Sequence, residues 1–520
     1  MSTKSKVQIA VDRGGTFCDI WANIPGQGET VFKILSEDSQ NYADAPAEGI
    51  RVVLEKFTGR KIAKNEKLDG SLIEWVRMGT TVATNALLER KGEKFVYFTT
   101  KGFEDVLEIG TQARPELFNL KVKTPETLFD KVIGVDERIT VETSSDDPNE
   151  QIIDLQDKNV IRTPSGTYIR VIKQLNLLAV RKSLQKVYDI GYRSLAICFA
   201  HAYLYDVHEK KVAEIAREIG FRYVSISSDV SRTISYLHRG NATCIDAYLT
   251  PRIQNYVSKF LSSFSVVPKV QFMQSNGGLV DARHFRGINA ILSGPAGGVV
   301  GVRETCFENV PLVGFDMGGT STDVSRCDGS DFDISYSSII AGLEVSAPQL
   351  RIHTVAAGGG SILHWEKGLC RVGPQSAGSD PGAACYRKGG PLTVTDANLF
   401  LGRLVVSEFP HIFGRSGKEP LDKDIVEAKF ITLAHQISYD TGKKIDPHEV
   451  ALGFLRVANV KMANSIREIT ESRGYSAKDH VLVSFGGAGS QNCTSVARNL
   501  GISRVLIHKY SSILSSYGIA

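Results

Sequence analysis

Apolar residues fall in short runs and in helical stripes along most of this chain. Val7–Val11 is an apolar run that stops at Asp12-Arg-Gly-Gly-Thr16, so it reads as a buried strand ending in a tight glycine turn. A second strand is predicted at 19–24, a turn at Pro25–Gly28 and a third strand at 30–35. Asp44-Ala-Pro46 opens a helix with Ile50, Val53, Leu54 and Phe57 on one side. Met78-Gly-Thr-Thr-Val-Ala-Thr84 leads into a helix predicted over 85–90, and 94–99 is a further strand. Residues 142–159 are polar and acidic and read as a surface excursion. Beyond them the pattern alternates: helix 177–190, strand 194–199, a helix carrying Val212, Ile215 and Ile219, and strand 223–226. Such alternation predicts a layered α/β sheet. The second half repeats the theme around a strand at 313–315. A long helix over 448–472 carries Leu452, Leu455, Met462, Ile466 and Ile469. Asn459 lies within that stripe and reads as a buried, hydrogen-bonded amide rather than a ligand. The final segment, Tyr510–Ala520, reads as structured and apolar rather than as a frayed tail, so the C-terminus looks interrupted.

A chain of 520 residues predicts at least two domains, placed at 1–230 and 231–520. The formal net charge of +4 is small for this length, and Lys and Arg are spread along the chain. No nucleic-acid partner is therefore expected. Eight cysteines occur without a Cys-x-x-Cys pair, which argues against a zinc ribbon or a disulfide framework. Reduced thiols and a cytosolic location are the expectation. The polar start predicts no signal peptide, and no run is long and apolar enough to span a membrane.

The strongest chemical signal is a repeat. Asp12-Arg-Gly-Gly-Thr-Phe-Cys-Asp19 returns as Asp316-Met-Gly-Gly-Thr-Ser-Thr-Asp323, each after an apolar run. Gly14 and Gly15, like Gly318 and Gly319, let backbone approach an anion without a Cβ clash. Thr16 and Thr320 offer hydroxyls to phosphate oxygens. Asp12 and Asp316 suit a divalent cation held through water, or the orienting of a nucleophile. Two turns with incidental acids are the bland alternative, and the in-register repeat of Asp19 and Asp323 argues against it. A third cluster, Ser484-Phe-Gly-Gly-Ala-Gly489, follows a strand and precedes a helix over 491–500. Strand, glycine turn and helix is a geometry that receives nucleotides, so Gly486, Gly487 and Gly489 are assigned to the adenosine side.

Other segments stay open between function and packing. Ile291–Gly301 and Ala356–Ser361 are either anion nests or tight corners. His353 precedes the second of these, and His201, His208 and His238 lack companions at metal-ligand spacing. Asp396 and Asn398, after the Gly/Pro/Ser loop 372–385, either meet substrate or cap the next helix. Cys385 is a nucleophile only if a base stands beside it.

Together Val11–Phe17, Gly79–Leu87, Leu292–Gly298, Gly314–Asp323 and Ser484–Gly489 resemble the hydantoinase A/oxoprolinase family, of the actin-like ATPase superfamily. The likeness covers nearly the whole chain. Lys33–Pro46 and Asp246–Pro251 are similar to its oxoprolinase branch. The resemblance implies duplicated actin-like (ribonuclease H-like) α/β lobes with a nucleotide cleft between them. It implies ATP and Mg²⁺, with Asp12 and Asp316 as catalytic and metal-holding residues. The implied reaction is ATP-dependent hydrolysis of the cyclic amide 5-oxo-L-proline to L-glutamate, in glutathione metabolism. It also implies a hydantoinase B-like half that this sequence does not contain, and leaves homodimerisation open. The family usually has histidine where Asn492 stands, and an amide cannot exchange a proton as imidazole does. Alternatives kept open are a shortened nucleotide-binding protein without turnover, a hydantoin hydrolase, and a ketone carboxylase subunit.

Overall fold

The computed structural model describes residues 6–15, 17–36, 41–111, 126–142, 153–306, 308–329, 331–340, 342–378, 380–409, 411–414 and 417–520. Two mixed sheets of related design dominate it. In the first, the strands run in the spatial order Leu279–Asp281, Lys269–Met273, Ile73–Thr80, Val7–Arg13, Phe17–Ile24, Gly28–Leu35. Val7–Arg13 is antiparallel to Phe17–Ile24 and parallel to Ile73–Thr80. In the second, Leu312–Met317 is likewise antiparallel to Thr322–Asp328 and parallel to Val481–Phe485. Ile352–Val355 pairs with Thr322–Asp328, and Arg504–Leu506 extends the other side. Each lobe thus presents one acidic hairpin beside one parallel strand, which is the duplicated actin-like α/β plan.

The cores follow from the pattern. Val7, Ile9 and Val11 point to one face and are fully buried with Ile50, Val53 and Leu54 of the helix Ala45–Thr58. That helix starts where Asp44 accepts the Ala47 N–H, and stops at Gly59 with φ +68°. The second lobe packs the long helix Pro447–Ile469 and the helix Gly489–Leu500 on its sheet. A four-stranded parallel sheet (Tyr223–Ile226, Ser194–Cys198, Phe95–Thr100, Lys131–Val135) is attached to the first lobe. Its helices Leu177–Ile190 and Val207–Ile219 bury Val180, Leu184, Val187 and Val212, as their spacing predicts.

Three local expectations change. The helix predicted over 85–90 runs Val82–Leu88, because the Thr80 hydroxyl accepts the Val82 N–H and the turn closes earlier. The long helix ends at Ile469 rather than 472, where Thr470 leaves helical geometry and its hydroxyl donates back to the Ile466 carbonyl. Asn459 is buried, but its amide oxygen has no hydrogen-bond partner among the described residues. Most of the acidic excursion, 143–152, lies outside the described residues. All eight cysteines are free thiols, and no helix among the described residues is long and apolar enough to cross a membrane.

Candidate functional site

The two hairpins are superimposable in register. Asp12 stands opposite Asp19, and Asp316 opposite Asp323. Gly14 donates to the Phe17 carbonyl at 3.0 Å, and Gly318 to that of Ser321 at 3.0 Å. A side chain on Gly15 or Gly319 would meet nothing within 4 Å, so both tips open onto free space. Thr320 is exposed at the second tip; Thr16, its counterpart, lies outside the described residues.

The acids of the two lobes are near enough for their charges to interact. Burial pushes Asp12 up to about 7, the charge of Asp19 adds to this, and Lys33 opposes it. Oδ1 of Asp12 is shut off from solvent and has no hydrogen-bond partner among the described residues. Asp316 is held well above the carboxylate range, by burial first and then by Asp323, Asp12 and Asp19. The Asp12 charge thus adds to the burial that disfavours ionisation of Asp316. Burial also raises Asp19 and Asp323. Lys33 counters it at Asp19, with Nζ 2.6 Å from Oδ1, and the Thr354 hydroxyl, 2.5 Å away, counters it at Asp323.

Glycines bring backbone against these acids. A Cβ on Gly486 (φ +82°) would lie 2.3 Å from Asp316 Oδ1 and 2.6 Å from the Met317 carbonyl oxygen. A Cβ on Gly79 would lie 2.8 Å from Asp12 Oδ1. Gly79 and Phe485 pair with Asp12 and Asp316 respectively, so the parallel strand of each lobe turns beside its acid. Gly487 has nothing within 4 Å, whereas Gly489 packs its helix against Ser484. The three glycines of the third cluster thus differ: one approaches the acid, one faces open space, one packs.

Sequence reasoning left the glycine helix Ser293–Thr305 undecided, and its position is central. The Ser293 hydroxyl donates to the Thr80 carbonyl at 2.6 Å and accepts the Thr80 N–H at 3.2 Å. A Cβ on Gly294 would come within 3.5 Å of Asp12 Oδ1. The first turn of this helix therefore lies beside Asp12. Gly297 and Gly301 admit the buried segment Leu514–Ile519, and Gly298 admits Phe485 of the second lobe. The signal in the sequence was the glycine spacing, but only the fold shows that it joins the lobes.

The remaining candidates are structural. Gly359 and Gly360 donate to the carbonyls of Gly318 and Gly319 at 3.0 and 2.7 Å, and Gly358 donates to the Ser361 hydroxyl. The 356–361 loop is a packing corner that braces the second turn. Asp396 accepts N–H bonds from Ala384, Cys385 and Thr393 in a capping box, and Asn398 bonds Gln491 and Arg403. Cys385 is buried and its thiol is raised by burial and by Asp396, so no base activates it. His208 is buried against Glu137 at 2.8 Å, and His238 lies 3.0 Å from Glu344. His353, half-exposed, is 3.7 Å from Glu468.

Among the described residues no three His, Cys, Asp or Glu side chains form a ready metal cage. One or two carboxylates would suffice for Mg²⁺, which completes its shell with water and phosphate. Crowded, recessed acids with an unpartnered oxygen fit such an ion.

A family model described as Hydantoinase/oxoprolinase matches residues 239–520, and one described as Hydantoinase/oxoprolinase N-terminal region matches 8–220. The chain is 54% identical to the 5-oxoprolinase PfmaA of Pestalotiopsis fici, over 99% of this chain and 40% of that protein. It is 50% identical to a 5-oxoprolinase of Saccharomyces cerevisiae, over 99% of this chain and 41% of that protein. The crystal structure of an ATP-dependent caprolactamase from Pseudomonas jessenii matches with a TM-score of 0.78 at 26% identity, over 98% of this chain and 70% of that one. This chain spans about two fifths of the length of the curated 5-oxoprolinases it matches.

Proposed function

The chain belongs to the hydantoinase/oxoprolinase family, and from that premise we propose that it is the nucleotide-binding part of an ATP-dependent cyclic-amide hydrolase acting on 5-oxo-L-proline. The observation that carries the proposal is the pair of hairpins, one on each lobe, whose recessed acids Asp12 and Asp316 interact through their charges. A lactam is a stable amide, and transfer of the ATP γ-phosphoryl group to its oxygen makes the ring carbon electrophilic. Catalysis of such a transfer rests on positioning and on neutralising charge. Asp12 and Asp316 would hold Mg²⁺, which supplies charge neutralisation at the phosphates. The open tips at Gly15 and Gly319 admit a phosphate chain close to backbone N–H groups, and the open space at Gly487 suits the adenosine side. The first turn of Ser293–Thr305 adds a positive dipole end beside Asp12. Ring opening to L-glutamate would be completed with a hydantoinase B-like half.

A second reading, nucleotide binding without turnover, has its own support at Asn492. This residue is fully buried, donates to the Met317 sulfur at 3.4 Å, and has an amide oxygen without a partner among the described residues. An amide there cannot relay a proton. The test supplies a hydantoinase B-like half in trans and measures phosphate and glutamate release from Mg-ATP and 5-oxo-L-proline. Release of both in step supports hydrolysis. Binding of Mg-ATP by calorimetry with no release supports the second reading, and absence of Mg-ATP binding removes both.

A further inference from the structure

The two hairpins match at their acids and differ beside them. In the first lobe, cross-strand pairing sets Asp12, Asp19 and Lys33 in one row. In the second, the same pairing sets Asp316, Asp323 and Thr354 in one row. Directly paired residues of neighbouring strands project to the same face. Lys33 and Thr354 therefore hold equivalent positions, with a cation in one lobe where the other has a neutral hydroxyl.

The Lys33 ammonium is held in place yet stays accessible. Its Nζ lies 2.6 Å from Asp19 Oδ1, and the lysine side chain is 32% exposed against 16% for the aspartate. An ammonium group has three N–H donors, and Asp19 takes one of them. Phe17, two residues before Asp19 on the same face, sets its ring 6.0 Å from Nζ, whereas Ser321 has that place in the second hairpin. The strand carrying Lys33 is pinned to the hairpin tip, where the Ser36 hydroxyl donates to the Gly14 carbonyl at 2.7 Å. The charge of Lys33 is felt at Asp12 and also at Asp316 of the other lobe. A second asymmetry runs the opposite way. Past its parallel strand, the second lobe turns through Gly486 (φ +82°) and Gly487, with free space at Gly487. Past the equivalent strand, the first lobe turns through Thr80 and Thr81, whose hydroxyls bond the Val82 N–H and the Arg13 carbonyl. The room for a nucleoside is thus on the second lobe and the unmatched cation on the first.

We propose that Lys33 contacts the terminal phosphoryl group of a bound Mg²⁺–nucleoside triphosphate, with Asp19 as the residue that positions its ammonium. A triphosphate has a bulky nucleoside end and a highly charged terminal end, so it fits two lobes that are unlike in this way. A compact charge on a flexible stem suits phosphate oxygens, and its remaining donors can serve them while Asp19 keeps the first. The assignment rests on the nucleotide reading of the hairpins and adds to it which lobe takes the transferable group.

The test is equilibrium binding to the full chain by calorimetry, with the Mg²⁺ complexes of ADP and of the β,γ-imido analogue of ATP as probes. The parent should bind the triphosphate about tenfold or more tighter than ADP, since a charge-assisted contact is worth that much. Lys33→Met should abolish this preference, weakening the triphosphate by about tenfold or more while ADP shifts by less than about twofold. Lys33→Arg keeps the charge and should keep a preference for the triphosphate. If Lys33 only neutralised Asp19, its loss would weaken both nucleotides alike, and that result overturns the assignment. A Lys33→Met protein with the parent's preference, or a parent that binds both nucleotides equally, overturns it too. Should Lys33→Met melt early because Asp19 is left unpaired, the double variant with Asp19→Asn repeats the comparison, and a restored preference there counts against Lys33. A parent that binds neither nucleotide is a different failure, which removes the nucleotide reading and this assignment together before any variant is compared.

Discussion

Gly486→Ala and Gly487→Ala differ by one position and should fail in opposite ways. At Gly486 an alanine Cβ would sit 2.3 Å from Asp316 Oδ1 and 2.6 Å from the Met317 carbonyl oxygen, and φ is +82°. The left-handed backbone alone costs a non-glycine residue about 1–2 kcal/mol. Relieving three contacts below 3 Å, two of them to Met317 backbone atoms, adds about 1–3 kcal/mol of overpacking. The sum, about 2–5 kcal/mol, is a large part of a typical domain's stability. At Gly487 a Cβ meets nothing within 4 Å and φ is not left-handed. Alanine there should leave stability unchanged or raise it by up to about 1 kcal/mol through the unfolded chain. Its methyl group would nonetheless occupy the space left for the nucleotide, and Mg-ATP affinity should fall by about tenfold or more. Urea unfolding gives the first quantity and calorimetric titration with Mg-ATP the second. A Gly486→Ala protein as stable as its parent would refute the packing argument. A Gly487→Ala protein that binds Mg-ATP normally would place the nucleotide elsewhere.

Asp316→Asn removes an acid that burial and three neighbouring carboxylates disfavour; it should melt no lower than the parent without ligand, yet lose Mg²⁺-dependent ATP binding, as read by thermal shift with and without Mg²⁺. The pH dependence follows from Asp12, whose folded pKa of about 7 lies above its ordinary value. The folded state then binds more protons than the unfolded state between about pH 4 and pH 7, so Mg²⁺-free stability should decline through that window as pH rises. Urea melts at pH 5 and pH 8 should show a smaller decline for Asp12→Asn, and an equal decline would refute the assignment. Over the same rise in pH, Mg-ATP binding should strengthen as Asp12 ionises. Asn492→His should raise glutamate release in the presence of a hydantoinase B-like half; no change would show that the amide is not what limits turnover.

The sequence disclosed the turns because each consists of local features: an apolar run, an acid, two glycines and a hydroxyl. It also disclosed the helices with clean stripes, such as Leu177–Ile190. What it could not disclose was which backbone groups remain free. Ala356–Ser361 and Ile291–Gly301 look equally able to hold an anion, yet the N–H groups of the first are consumed in bracing Gly318 and Gly319. The second instead sets a helix start beside Asp12. Asp396 and Cys385 show the same limit, since a carboxylate that accepts three backbone N–H groups is a cap whatever loop precedes it. Partnering is set by long-range contacts, and spacing along the chain does not carry it.

The arrangement of charge then constrains the chemistry more tightly than the motif does. Four recessed carboxylates lie on the two hairpins, their charges raise one another, and Lys33, tied to Asp19, offsets only part of this. Near neutral pH such a cluster must keep protons or take a cation. Protons satisfy it at a cost that grows as pH rises, because Asp12 titrates at about 7. A divalent ion satisfies it at once, and since Asp12 and Asp316 lie on different lobes, it would also draw the hairpins together. The open tips at Gly15 and Gly319 then flank the ion with backbone free of side chains. A lone cation would leave those donors unanswered, whereas a cation bearing a polyphosphate satisfies acids and donors together. On this reasoning Mg²⁺ without nucleotide should stabilise the protein less than Mg-ATP does, and ATP without Mg²⁺ should repel the acids and stabilise it least. A melt series in which ATP alone stabilises as strongly as Mg-ATP would show that the acids do not face the phosphates.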